Sequence, residues 1–212
     1  MRRPGSPQWV GALLAGGLSR RMGKDKLRME LADGSRLIDR AANALRPHCQ
    51  HLICLGPDLR LLPQLEAFVA LQDAISEQAP AGSGPMAGLT AALEYSQHRV
   101  GAKWVLVLAG DLPKIQSGQL AAMVEQAQNS PETAVVPVSE NGPEPLIAAY
   151  PASFHRAARE YLESGGRSVR RFLQQQRWIA LSGTGLGTIP DCTNLNRPED
   201  WESLSDAVDQ DS

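Results

Sequence analysis

A glycine-rich turn surrounded by cations is the first feature of this sequence that could do chemistry. The apolar run ending at Leu14 and Ala15 is followed at once by two adjacent glycines, Gly16 and Gly17. Such glycines allow a sharp turn and let backbone N–H groups come close to an anion. Four cations follow within seven residues: Arg20, Arg21, Lys24 and Lys26. Close donors and several positive charges together suit a triphosphate. The alternative is a surface turn with a solvated basic face.

Two aspartates follow predicted strands and could serve the same ligand. Asp111 comes just after the apolar run 103–109, and Asp73 comes just after 68–71. In an open parallel sheet, ligands bind beyond the carboxyl ends of the strands. Magnesium is usually held by one or two carboxylates together with phosphates and water. Asp111 is therefore a candidate Mg²⁺ ligand facing the glycine turn, although either aspartate could simply form a turn.

The elements that must position these residues alternate along the chain. Apolar runs predict strands over 9–14, 51–55, 68–71, 103–109, 133–138, 146–150 and 178–181. Helical spacing or a start signal predicts helices over 36–47, from Pro85 to about 96, from an N-cap at Ser117 to about 127, over 152–163 and over 168–175. Alternation of this kind favours an α/β fold, with a parallel or mixed sheet covered by helices on both faces.

Composition excludes several classes of protein. The chain has 212 residues, of which 42% are apolar, and a net charge of −2. It can bury a sizeable core as one domain over 1–212, with 202–212 as a frayed acidic tail. Because there is no basic excess and no apolar run of about 20 residues, we expect no nucleic-acid partner, no membrane span and a cytoplasmic location. Three cysteines without CxxC spacing and four scattered histidines favour neither a disulfide framework nor a zinc site.

The ordered motifs resemble one enzyme family. The segment 14–26 is similar to the LAGGxSxRMGxDK signature of molybdenum cofactor guanylyltransferases and their nucleotidyltransferase relatives. Other landmarks of that family are resembled in the same order by 84–89, 110–113, 144–148, 166–173 and 194–200. The resemblance spans nearly the whole chain. It implies a single-domain, Rossmann-like nucleotidyltransferase fold, with a mostly parallel central sheet and helices on both faces.

The resemblance also implies roles for individual residues. The nucleotide would be held by the end of the first strand and the turn after it, which are Leu14, Ala15, Gly16 and Gly17. It would also be held by the side chains of Lys26, Asp73 and Asp111. Asp111 would bind Mg²⁺ and would act in catalysis together with Arg21 and Lys26. Molybdopterin would be bound by Arg167, Arg170, Arg171, Asn194 and Asn196. The alternative for the three arginines is a solvated helix face.

The implied reaction transfers GMP from GTP to the terminal phosphate of Mo-molybdopterin and releases pyrophosphate. A phosphate monoester has a second pKa of about 6, so the nucleophile is already largely ionised at neutral pH and needs no general base. Proteins that deliver molybdopterin or mature molybdoenzymes would be further partners. Two alternatives stay open: a relative that transfers another nucleotide, to molybdopterin or to a sugar phosphate, and a nucleotide-binding regulator without catalysis.

Overall fold

A seven-stranded sheet organises the part of the chain that the computed structural model describes, namely residues 8–15, 30, 34–56, 68–71, 84–112, 115 and 117–181. The strands within these residues are β1 (Trp9–Leu14), β2 (His51–Leu55), β3 (Val69–Leu71), β4 (Trp104–Ala109), β5 (Ala134–Val136), β6 (Val138–Ser139), β7 (Gly142–Pro143), β8 (Ile147–Pro151) and β9 (Trp178–Ala180). The α-helices are α1 (Leu37–Leu45), α2 (Pro85–Tyr95), α3 (Ser117–Gln128), α4 (His155–Glu163) and α5 (Val169–Gln174). None of the helices in these residues is long and apolar enough to cross a membrane.

The sheet is mostly parallel and has the strand order β3-β2-β1-β4-β8-β5-β9. β1 runs parallel to both β2 and β4, and β2 runs parallel to β3. β8 is antiparallel to its two neighbours, β4 and β5, while β5 and β9 are parallel. The expected fold class is confirmed, and the one reversed strand, β8, shapes the site described below.

Helices cover both faces of the sheet because side chains alternate along each strand. On one face, Leu13 of β1 packs in a cluster with residues of α1 and α3, including Ile38 and Leu120. On the other face, Val10 packs in a cluster with residues of α2, α4 and α5, including Phe172. Every residue of β1 and of β4 is buried, as expected for central strands covered on both sides.

The predicted strand 133–138 is the element that differs most. β5 ends at Val136, and Pro137 separates it from β6. Proline has no N–H to donate to a sheet ladder, so the hydrogen bonding of β5 is interrupted at this position. The chain instead forms a small antiparallel hairpin, β6–β7, in which Val138 pairs with Pro143. The sequence analysis did not predict this hairpin.

Helix starts differ in smaller ways. Ser117, predicted to cap α3, is instead its first residue, and its hydroxyl lies 2.9 Å from Nε2 of His48. The predicted helix 152–163 begins with a 3-10 turn, Ala152–Phe154, before α4. Ser168 is the N-cap of α5, where its Oγ accepts a hydrogen bond from the Arg171 N–H at 3.3 Å.

Candidate active site

The ends of three neighbouring strands meet at one edge of the sheet. The Gly110 N–H donates to the Leu14 carbonyl at 3.0 Å, and the Ala109 N–H donates to the Leu146 carbonyl at 2.9 Å. The carboxyl ends of β1 and β4 therefore lie beside the start of the antiparallel strand β8. Asp111 follows β4, so it stands between the end of β1 on one side and the start of β8 on the other.

A pocket of about 430 Å³ opens at this edge, on the β8 side of Asp111. Its charged lining residues are Asp111, Glu144, Arg167 and Arg170, contributed by the end of β4, the segment before β8 and the region around the start of α5. The rest of the wall is largely apolar, with Pro85, Leu146 and Val169 among its members. Its size falls in the range of sites for small molecules.

Arg167 lies half-buried in this wall, just before α5. Its Nη1 donates to the Gly166 carbonyl at 3.0 Å and more weakly to the Leu162 carbonyl at 3.4 Å. A guanidinium has five N–H donors, and Nε and Nη2 of Arg167 make no hydrogen bond to the described residues. Arg167 can therefore be held in place by the backbone while it binds an anion in the pocket.

Arg170 is used differently, because its guanidinium joins α5 to the β6–β7 hairpin. Nη1 donates to the Asn141 carbonyl at 3.0 Å, and Nη2 donates to the Pro143 carbonyl at 2.9 Å. The planar fork of an arginine suits two acceptors side by side. Arg170 thus fixes one wall of the pocket. The neighbouring Arg171 is exposed and does not line the pocket, although the sequence grouped all three arginines together.

Glu144 is a pocket residue whose side chain the sequence reasoning missed. The Ser139 hydroxyl donates to its Oε1 at 2.5 Å, and the Glu144 N–H donates to the Pro137 carbonyl at 2.9 Å. The sequence signal that could have found it is a carboxylate two residues before an apolar run and two residues after the turn-forming Asn141 and Gly142.

The backbone groups at the end of β1, which precede the glycine turn, are already hydrogen-bonded within the sheet. The Ala15 N–H donates to the Leu55 carbonyl at 2.7 Å, and the Leu14 carbonyl accepts from Gly110. Backbone donors for a phosphate must then come from beyond Ala15. The other predicted site residues lie outside the described residues, and these are Gly16, Gly17, Arg21, Lys26, Asp73, Asn194 and Asn196.

Metal-ligating side chains do not form a dense cluster among the described residues. Among them, no group of three or more His, Cys, Asp or Glu side chains could hold a metal ion. A single carboxylate such as Asp111 is nonetheless a normal protein contribution to a Mg²⁺ site, since substrate phosphates and water complete the shell.

Burial raises the pKa of Cys49 and of Cys54 to about 12, and neither thiol lines the pocket.

Comparison with known proteins decides the family. A family model described as the MobA-like NTP transferase domain matches residues 11–179. The chain belongs to this family. A probable molybdenum cofactor guanylyltransferase from Opitutus terrae is 35% identical, covering 90% of this chain and 92% of that protein. One of the same name from Synechococcus elongatus is 30% identical, covering 92% and 97%. The resemblance found in the motifs is thereby confirmed.

A solved structure supports the same fold for this MobA-like protein. Molybdopterin-guanine dinucleotide biosynthesis protein A from Archaeoglobus fulgidus superposes with a TM-score of 0.71 at 21% identity, covering 95% of this chain and 99% of that one. The MobA-like chain is therefore a nucleotidyltransferase with the fold expected from its motifs.

Proposed function

We propose that this nucleotidyltransferase transfers GMP from GTP to the terminal phosphate of Mo-molybdopterin, giving the guanine dinucleotide form and pyrophosphate. The names of its relatives support this substrate pair. The observation that carries the proposal is that Asp111 and Arg167 line the same pocket, beside the end of β1. A carboxylate and a cation around one cavity suit a metal-bound phosphate on one side and a second phosphate on the other.

We place the two substrates at this edge of the sheet, on opposite sides of Asp111. GTP would lie on the β1 side, where the glycine turn and its cations follow Ala15 in the sequence. The acceptor would lie on the β8 side, in the pocket that holds Arg167 and Glu144. The two reacting phosphates would then meet near Asp111.

The chemical step is an attack by an acceptor phosphate oxygen on the α-phosphorus of GTP. A new P–O bond forms there, and the bond from the α-phosphorus to the oxygen bridging the α- and β-phosphates breaks. That oxygen keeps the electron pair and leaves on pyrophosphate. Since the nucleophile is already an anion, no side chain has to remove a proton.

The main task of the protein is then to bring two anions together and align them. Arg167 would bind the acceptor phosphate with its remaining N–H donors. Lys26 and Arg21 would neutralise the triphosphate from the opposite side. Asp111 would hold Mg²⁺, which when bound offsets the charge of the phosphates during transfer. The cytoplasmic location and the molybdopterin-delivering partners also remain predictions.

The direct test mixes purified protein, Mg²⁺ and Mo-molybdopterin with GTP, CTP or ATP in parallel and measures pyrophosphate and dinucleotide. We expect product mainly with GTP. Product mainly with CTP would indicate the cytidylyl-transferring alternative, and nucleotide binding without pyrophosphate would indicate a regulator.

A pair of variants tests the acceptor side of this arrangement. Arg167→Ala is expected to raise the KM for Mo-molybdopterin while leaving the Kd for GTP near its original value. Arg171→Ala is the matched control, because it removes the same charge from an exposed position outside the pocket. Equal effects of the two variants would contradict the placement of the acceptor phosphate at Arg167.

A further inference from the structure

Glu144 is held in the pocket with one oxygen engaged and the other unengaged. Its Oε1 accepts from the Ser139 hydroxyl at 2.5 Å, and that hydroxyl oxygen in turn accepts from the Asn141 N–H at 3.1 Å. Neither a hydrogen bond nor an ion pair from the described residues reaches Oε2. The hairpin therefore holds one oxygen of a carboxylate at the pocket wall, and the other oxygen has no partner among the described residues.

The chemistry of Glu144 limits what can lie against it. A carboxylate only accepts hydrogen bonds, and a half-buried acceptor needs a donor when a ligand displaces its water. A negative charge also disfavours a phosphate as its neighbour. The part of the ligand that meets Glu144 should therefore carry N–H groups, while the phosphate lies nearer to Arg167.

We infer that Glu144 is a specificity-determining residue, which accepts hydrogen bonds from the 2-amino-4-oxopyrimidine edge of the acceptor pterin; the inference rests on the proposed function. This edge presents a ring N–H and an amino N–H side by side, and a carboxylate can accept both. The apolar wall that includes Leu146 and Val169 suits the faces of a flat ring.

Guanine carries the same donor edge as the pterin, so the position of Glu144 decides which of the two rings it contacts. Glu144 precedes β8, whereas β1, which the glycine turn follows in sequence, ends on the other side of Asp111. That arrangement places Glu144 with the acceptor. The pterin is accordingly the expected partner, and the nucleotide base becomes an alternative outcome of the experiment.

Binding of two matched fluorescent probes tests the inference without any turnover. 6-Hydroxymethylpterin has the 2-amino donor, and 6-hydroxymethyllumazine has an oxygen in its place. We expect the parent protein to bind the pterin at least about 10-fold more tightly, as is usual when a charged acceptor loses its donor. Glu144→Gln should reduce this ratio towards one, and Glu144→Asp should recover part of it.

A control variant and a nucleotide arm make the result specific. Glu140→Gln removes the same charge from an exposed residue of the same hairpin that does not line the pocket, and it should leave the ratio unchanged. GTP and ITP, which differ in the same amino group, should bind Glu144→Gln with the same ratio of Kd values as the parent.

Three results would overturn the inference. They are equal or undetectable binding of the two probes by the parent, an equal loss in Glu140→Gln, and a change in the GTP/ITP ratio with an unchanged pterin ratio. The proposed function fails separately, if the parent makes no dinucleotide from GTP and Mo-molybdopterin. Retained probe discrimination in that case would leave the assignment of Glu144 to a pterin edge standing.

Discussion

Replacing Arg170 by alanine should loosen the hairpin that forms one wall of the pocket. The guanidinium donates to two backbone carbonyls, those of Asn141 and Pro143, at 3.0 and 2.9 Å. A hydrogen bond contributes about 0.5–1.5 kcal/mol net, and Arg170 is exposed, so the two bonds together are worth about 1–2 kcal/mol. Arg170→Ala should lower the free energy of unfolding by that amount. Arg171→Ala, one residue further along α5, should change it by less than about 0.5 kcal/mol.

Arg170→Ala should weaken binding of the acceptor more than binding of the nucleotide. The hairpin carries Ser139, and Glu144 follows it directly, so a looser hairpin leaves the pocket wall that we assign to the acceptor less well ordered. If binding of the acceptor has to supply the roughly 1–2 kcal/mol needed to order the hairpin, the KM for Mo-molybdopterin should rise by about 5- to 30-fold. The Kd for GTP should stay near its original value. Denaturant unfolding gives the first quantity, and initial rates at saturating GTP give the second.

Arg170→Lys separates a geometric role from a charge role. Lysine keeps the positive charge but cannot span two carbonyls with a planar fork. We therefore expect Arg170→Lys to resemble Arg170→Ala in stability and in KM. If lysine restored both, Arg170 would act as a charge towards the ligand, as the sequence suggested, and the bridging role would be refuted.

Four further predictions concern the chemistry itself. Asp111→Asn should abolish transfer in a protein that stays folded by circular dichroism, because it removes the proposed metal ligand; near-normal turnover would contradict that role. Lys26→Ala should raise the GTP Kd and lower the rate, whereas an unchanged Kd and rate would mean that Lys26 only solvates its loop. A small thiol reagent near pH 8 should leave activity largely intact, because burial raises the pKa values of Cys49 and Cys54 to about 12 and keeps them as thiols, and because Cys192 is not one of the predicted site residues; rapid inactivation that GTP prevents would refute this. The acid limb of the pH–rate profile should follow the acceptor phosphate near about pH 6. It should survive glutamine substitution of each histidine, and loss of the limb in one folded variant would reveal a general base; the four positions are His48, His51, His98 and His155.

The central strands could be predicted well because burial on both faces leaves a strong signal. β1 was predicted with its observed bounds, and β4 to within one residue. Unbroken apolar runs of this length have few alternatives when turns flank them. The position of Asp111 at the edge of the sheet followed from the end of β4, because a strand that is fixed in sequence also fixes the residue after it.

The pocket wall formed by the hairpin and α5 could not be predicted, because its contacts are made between distant parts of the chain. The apolar run at 146–150 does not show that β8 is reversed, and hydrophobic pattern alone carries no strand direction. Nor could the sequence separate Arg170 from Arg171. The buried residues of α5 are Val169, Phe172 and Leu173, which leaves both arginines on outer sides of the helix. Only the position of the hairpin beside Arg170 distinguishes them.

The reversal of β8 has a consequence for how this fold accommodates two substrates. In an all-parallel sheet, the residues at this edge all follow their strands, as Asp111 follows β4. Because β8 runs the other way, the residues at its end of the edge precede the strand, and they directly follow a hairpin that is held from outside by Arg170. In the proposed arrangement, the nucleotide side and the acceptor side are therefore built from separate segments on either side of Asp111. Substitutions within 138–144 should then change which acceptor is used while nucleotide choice is preserved, and changes after β1 should do the reverse.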